Sequence, residues 1–337
     1  QPDFRNPLVQ KWNAVVQREL PGQMSLEVGY EGNHQSHQVI LWNADPAANI
    51  GTTNSAITTE TRREIVAACP ACTSVGNGLS TTSSFGYGNY GALSAKLEKR
   101  YSNGLQILAA YAWSHALANS GTPLSGAAGL GAPDPTNLAS EYSTASWDIR
   151  HNFTAAFNYD IPFGKGKQFG AGMNRITDTI AGNWHVNGLL TLRTGQPYTL
   201  DSNQCQGVWG RCVPDAISGM NPNASPSGGR NPNEWFDINN VTAPASLTGG
   251  NLGLESQTGP PNRTLDFSIF KDFAITERWK VQFRAESFNL ANTPQLSAPD
   301  GNIQDSLKYG GNGNFGRVTS SLPASERHIQ FALRLQF

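Results

Sequence analysis

The chain has 337 residues, with 24 basic against 25 acidic side chains and a formal net charge of −1. Mean hydropathy is −0.40, and no apolar run approaches the roughly 18 residues of a membrane-crossing helix, which excludes a helical membrane protein. The balanced charge gives no reason to expect a nucleic-acid partner, whereas 35 glycines and 20 prolines point to turns and long loops.

Gln1 is followed by neither a basic n-region nor an apolar h-region, so no signal peptide is visible and the chain is expected to be processed or part of something longer. From there a period-2 alternation recurs nine times. Trp12, Ala14 and Val16 form the first apolar face, and Leu26, Val28 and Tyr30 the second. Leu93, Ala95 and Leu97 follow, then Leu105, Ile107, Ala109, Tyr111 and Trp113. Phe153, Ala155, Phe157, Tyr159 and Ile161 make the fifth, and Trp184, Val186, Gly188, Leu190 and Leu192 the sixth. The last three are Leu265, Phe267 and Ile269; Trp279, Val281, Phe283 and Ala285; and Ile329, Phe331, Leu333, Leu335 and Phe337. Successive side chains of a strand point to opposite faces, so each segment has one apolar and one polar side.

Connection lengths separate a membrane barrel from a soluble sandwich. Tight links occur at Pro21-Gly22, Ser102-Asn103-Gly104 and Ala274 to Glu277, and a medium link runs from Pro162 to Gly182. Long segments run from Gly32 to Ser84, Ala116 to Ser146, Asp201 to Pro261 and Ala291 to Ser325. Outer-membrane barrels have short periplasmic turns and longer outer loops, while structureless loops of this length are uncommon in compact soluble domains. Tyr101, Tyr159, Trp184, Trp279 and Phe337 fall near the short-turn ends, and Tyr30 and Trp113 near the long-loop ends, as interfacial aromatic belts require. The expected fold is therefore all-β: an antiparallel transmembrane β-barrel portion of nine strands. Nine is an odd number, and an open edge has no backbone partners in lipid, so further strands are expected.

A set of blocks resembles the C-terminal barrel of TonB-dependent outer-membrane transporters, in the Oar-like branch whose members carry an N-terminal carboxypeptidase-regulatory-like domain. They include Asn6-Pro7-Leu8-Val9-Gln10-Lys11-Trp12-Asn13, Leu97-Glu98-Lys99-Arg100-Tyr101-Ser102-Asn103-Gly104-Leu105 and Asp148-Ile149-Arg150-His151-Asn152-Phe153. Others are Ile161-Pro162-Phe163-Gly164-Lys165-Gly166-Lys167, Gly188 to Pro197, Asp266 to Phe273 and Phe283 to Leu290. The blocks span nearly every strand and spare the long loops. The resemblance implies a barrel of about 22 strands, of which residues 1–337 would be the C-terminal part, without signal peptide, regulatory-like domain, plug and first strands. It implies outer-membrane lipid, the barrel assembly machinery, the remainder of the barrel with its plug, and an unidentified substrate as partners; TonB would be met only through the absent N-terminal part. The terminus also resembles the signal read by the assembly machinery, with Gln330, Leu335 and Phe337 matching and Ala332 standing where Gly is usual.

Four cysteines lie in the long segments. Cys69 and Cys72 have the spacing of redox or zinc motifs, and Cys205 and Cys212 are the other pair. In an oxidising exterior, local Cys69–Cys72 and Cys205–Cys212 bridges are expected; a four-thiolate zinc site, free thiols and cross-pairing are the alternatives. Asp148, Arg150 and His151 are close in sequence, but nothing completes a catalytic constellation around them. They are expected to make lumen-side ion pairs and hydrogen bonds, and Lys96, Glu98, Arg100, Arg193, Lys280, Arg284, Glu286 and Arg334 to form a solvated, mutually paired interior. Gly164-Lys165-Gly166-Lys167 lacks Walker spacing and reads as a basic periplasmic turn. No enzyme activity, cofactor or metal is expected. The expected function is a receptor or transporter barrel segment in the outer membrane of a Gram-negative bacterium. A structural or adhesive surface protein and a soluble β-rich carbohydrate-active enzyme, the latter requiring a carboxylate pair in a cleft, are the rival readings.

Overall fold

The structure, a computed structural model, describes residues 4–43, 63–69, 71, 80–119, 137–204, 212–245, 248–276 and 278–337. Nine long strands follow one another as an antiparallel meander in chain order. They are β1 (Leu8–Leu20), β2 (Met24–Asn43), β3 (Ser80–Ser102), β4 (Leu105–Ala118), β5 (His151–Asp160), β6 (Trp184–Arg193), β7 (Asn262–Ala274), β8 (Lys280–Phe288) and β9 (His328–Gln336). Each apolar segment read from the alternation falls within or against one of them. The sheet is open: β1 and β9 are its two edges among the described residues.

Register joins the separate apolar faces into one. Directly opposed residues of an antiparallel pair share a face, and Val28 opposes both Val16 and Ala95. The row continues through Tyr111, Phe153 and Leu192. Further along, Val186 opposes Ile269, which opposes Ala285, which opposes Phe331. A shift of one residue at any step would have sent a hydrophobic row to the polar side. This outer face carries exposed Trp12, Val16, Tyr30, Trp113, Leu333 and Phe337, the arrangement of a wall that meets lipid rather than a second protein layer.

The tight links close as their residues dictate. Asn103 and Gly104 both have positive φ, 51° and 77°, as a two-residue type I′ hairpin turn needs. The link from Pro162 to Gly182 contains a short helix absent from the alternation reading. The first helix, α1, spans Glu64–Ala68, and this second one, α2, spans Arg175–Ala181, with the Asn174 side chain accepting from Thr177 N.

At the opposite end the long segments depart from the expectation of loops. β2 runs 20 residues and β3 runs 23, well beyond the 9–11 that cross a bilayer. Their hairpin therefore projects outward, with a bulge between Gln35 and Ile40 and a positive φ at His37. Above the membrane both faces meet water, so His34 to Gln38 show no apolar alternation and were invisible to a period-2 reading. The described residues of segments 194–261 and 289–327 fold onto each other as a cap. Its core consists of Leu200, Val213, Trp235, Phe236, Val241, Leu252, Ile303 and Phe315. Phe236 meets Phe315 edge-on with centroids 5.3 Å apart.

Candidate functional site

Among the described residues, polar groups gather on the inner face of the sheet, in a knot at its upper rim, and around the clefts beneath the cap.

On the inner face, β5, β6, β7 and β8 are braced near the short-turn end. His185 Nδ1 lies 2.6 Å from Asp160 Oδ1 and its Nε2 lies 3.2 Å from Asp272 Oδ2. Both ring nitrogens can donate only in the protonated imidazole. Tyr101 donates its hydroxyl to the other Asp160 oxygen. Gln282 Nε2 donates to Asp272 Oδ1 at 2.8 Å, and Arg284 Nε donates to Gln282 Oε1 at 2.7 Å. Sequence reading picked out Arg284 here but missed His185, Asp160 and Asp272. Twenty-five and more residues separate these three in the chain, and only the register β5–β6–β7 brings them together.

The expected paired interior is present in part. Lys96 Nζ is 3.5 Å from Glu98, and Gln330 Nε2 donates to Glu286 at 2.7 Å. The inner face is not uniformly polar, however. Leu108 opposes Ala156, which opposes Leu189, and both leucines are exposed. A short apolar patch therefore spans β4, β5 and β6, bounded by Glu98 on β3 and Asp266 on β7; the alternation hid it because it assigns each strand a single apolar face.

The upper-rim knot contains Asp148 and Arg150. Asp148 is buried, accepts from Ala116 N at 2.8 Å, and lies 3.3 Å from His115 Nδ1 and 3.7 Å from Arg150 Nη2. Arg150 Nη2 reaches His115 Nε2 at 3.3 Å. The ion-pair expectation holds for Asp148 and Arg150. His151 is a correction: it opposes Trp113 on the outer face and bonds Tyr111 Oη at 2.8 Å. Its place two residues before Phe153 already fixed that parity.

The cap is joined loop to loop by backbone hydrogen bonds. Trp235 N donates to Gly316 O and Val318 N to Pro232 O, both at 2.8 Å; Asp201 N donates to Gly301 O at 2.9 Å. It is tied to the wall where Leu290 N donates to Leu265 O at 2.7 Å and Thr293 Oγ1 to Arg263 O at 2.6 Å. Arg230 is committed internally: Nη2 donates to Asn223 O at 2.7 Å, Nη1 to Trp235 O at 3.2 Å, and the guanidinium lies 5.9 Å from the Trp235 ring. Two clefts open at the seam. One of about 600 Å³ is lined by Trp235, Pro260, Pro261, Pro294 and Arg263, and one of about 210 Å³ by Arg193, Tyr198, Asn262 and Gln295. A third, of about 480 Å³, lies between the cap segments, lined by Glu234, Ile238, Leu307 and Phe315; it and the first fall in the 300–1,000 Å³ range of small-molecule sites.

Burial shifts acids in the cap. Desolvation, then the charges of Asp300 and Asp305, hold the Asp201 carboxyl above the usual carboxylate range. Asp300 is raised by burial and by its bond to Asp305.

The remaining expected positions fall as follows. Cys69 caps the end of α1 and, like Cys212, is disulfide-bonded, which removes both as thiolate zinc ligands. Cys72 and Cys205 lie outside the described residues, so the pairing stays an expectation. Gln330 and Ala332 lie on the inner face of β9, with Ala332 opposite Arg284. Leu335 points outward opposite Val281, and Phe337 lies 5.3 Å from the Trp279 ring.

Two solved outer-membrane proteins resemble this chain. They are the outer membrane transporter YddB from Escherichia coli, 8% identical with a TM-score of 0.47, and the ferric-catecholate import receptor Fiu from E. coli K12 in its closed form, 9% identical with a TM-score of 0.46. All of this chain is covered in each case, but it spans only 33% and 28% of theirs. No curated protein matches. The family model described as the outer membrane beta barrel domain matches residues 1–330, and the chain belongs to that family.

Proposed function

We propose that this outer-membrane chain is the C-terminal barrel portion of a TonB-dependent receptor or transporter of the Oar-like branch, with other strands and a plug completing the lumen. The observation that carries this reading is the continuous register that gathers nine apolar faces onto one surface while leaving both sheet edges unpaired. Unpaired edge groups cost several kcal/mol each in hydrocarbon, so the sheet needs partners on both sides. The row Leu108, Ala156 and Leu189 on the inner face supports a lumen filled by protein, since a water-filled pore gains nothing from exposed leucines there. The blocks resembling the transporter family lie mostly in the strands and short turns, with Asp148 to Arg150 at the upper rim.

The test is to isolate the polypeptide that bears this chain from outer membranes and map its peptides, then to photo-crosslink it to the periplasmic domain of TonB. The expected result is a much longer polypeptide that crosslinks through a segment preceding the barrel. A polypeptide that inserts yet never contacts TonB would favour the second reading, a surface-binding barrel, for which the folded core of the cap speaks. The exposed apolar wall and the outer-membrane family speak against the soluble part of the third reading.

A further inference from the structure

The short-turn end carries one element that a simple hairpin does not need. The segment between β5 and β6 is folded on itself: Phe169 N donates to Pro162 O at 2.9 Å, Gly164 N donates to Phe169 O at 2.8 Å, and Lys165 N donates to Asp178 Oδ1 at 2.6 Å. Asp178 thus links the basic turn to α2. The side on which α2 lies is fixed by two contacts. Trp184 Nε1 donates to Ile180 O at 3.1 Å, and Lys271 Nζ donates to Gly182 O. Trp184 and Lys271 oppose each other on the outer, lipid-facing side of the wall. Lys271 is buried there, with its ammonium 5.5 Å from the Trp184 ring and 5.3 Å from the Phe273 ring.

Set against that wall, α2 holds Ile176 and Ile180 one turn apart, on one helix face. They are 75% and 69% exposed, and Phe169 is 56% exposed beside them in sequence. Lys165, Lys167 and Arg175 are also exposed. A short segment with isoleucine and phenylalanine on its surface, cations around them and its anchor at the aromatic belt has the chemistry of an interfacial element.

We propose that residues 163–181 form a lipid-binding foot, seated in the headgroup region of the periplasmic leaflet, with Phe169, Ile176 and Ile180 entering the acyl boundary and Lys165, Lys167 and Arg175 meeting anionic headgroups. The occupant is phospholipid because the foot is continuous with the lipid-facing wall through Trp184 and Lys271, and because its exposed charge is basic. This reading requires only that the wall stand in a membrane, and it holds whether or not the barrel transports anything.

The experiment uses the full-length parent protein reconstituted in vesicles of phosphatidylethanolamine and phosphatidylglycerol. Nitroxide is attached to a single introduced cysteine, at Ile180→Cys, Phe169→Cys or, for comparison, Lys167→Cys, and its relaxation is measured with oxygen and with a water-soluble nickel chelate. The Ile180 and Phe169 labels should favour oxygen over nickel several-fold more than the Lys167 label. Replacing phosphatidylglycerol by phosphatidylcholine should bring all three labels closer to the nickel-accessible limit. Equal nickel access at Ile180, Phe169 and Lys167 would overturn the proposal, as would oxygen preference at all three, which would mean burial against protein or deep insertion without a headgroup-facing side. Two independent apolar positions keep the test valid if one labelled variant fails to fold.

Discussion

The wall and the cap solve opposite problems with the same amino acids. The wall satisfies its backbone through strand pairing and leaves apolar side chains without a protein layer over them, most of all at the edge strand β9, where Phe331, Leu333 and Phe337 are 70%, 74% and 81% exposed. The cap has little regular structure, yet it buries Leu200 and Phe236 completely. In the wall, the solvent that covers apolar groups is lipid, so packing against protein is not required. In the cap the surroundings are water, and two long loops must supply each other's core. The difference shows that hydrophobic content does not locate the core of such a chain; register and loop length do.

Removing detergent should give the largest effect. The wall is expected to aggregate completely while cap-derived surface epitopes remain folded, as followed by light scattering with limited proteolysis. Monodisperse chain in plain buffer would dissolve the contrast altogether. Deletion of Phe337 from the full-length parent comes next. If the terminus is read by the assembly machinery, surface-exposed protein should fall several-fold and periplasmic precursor accumulate, with the melt of inserted protein nearly unchanged; Leu322→Ala should do neither. An unchanged yield with a lowered melt would make Phe337 a packing residue against Trp279.

Inside the cap, Phe236→Ala should cost about 3–5 kcal/mol of local stability, whereas Phe331→Ala on the wall should cost far less, since no protein core closes over it. Proteolysis of the cap and thermal melting of the barrel separate the two, and equal losses would refute the distinction. Glycines sharpen it further. A Cβ at Gly195 would stand 1.7 Å from Gly259 O, a backbone atom near the other end of the same cap segment. At Gly188 the nearest atom is Phe157 Cε1 at 2.6 Å, on a ring at the lipid face. Gly195→Ala should therefore loosen the cap markedly, and Gly188→Ala should be mild. Similar cap proteolysis in both variants would contradict this.

The smallest effect is on pH. Asp201 and Asp300 are held above the ordinary value of 3.8, so the stability they contribute is full below that pH and is lost as pH rises through their raised values. Asp201→Asn should therefore resist cap proteolysis better than the parent at neutral pH, and this advantage should vanish below about pH 3.8. An advantage that persists there would point to a cause other than ionisation.

Much of the wall was legible because lipid on one side and a polar lumen on the other impose period 2 residue by residue, as Phe153 to Ile161 illustrate. The outer halves of β2 and β3 were not, because above the membrane His34 or Gln38 can face either way at little cost. The helix α2 is too short for a 3.6-residue period to emerge. His185 escaped because its meaning lies in Asp160 and Asp272 across two different strand pairs. The cap core was opaque for the same reason: Phe236 and Phe315 are distant in the chain, and no repeating pattern connects them.

The bonds between Trp235 and Gly316 and between Pro232 and Val318 have a consequence for variation. Loops of a barrel are usually thought of as independent inserts, free to lengthen or be exchanged one at a time. Here segments 194–261 and 289–327 are halves of a single folding unit that straddles the β7–β8 hairpin. A graft that replaces one must bring the other with it, so diversity at this surface should be inherited in pairs, with substitutions at Phe236 answered by substitutions at Phe315.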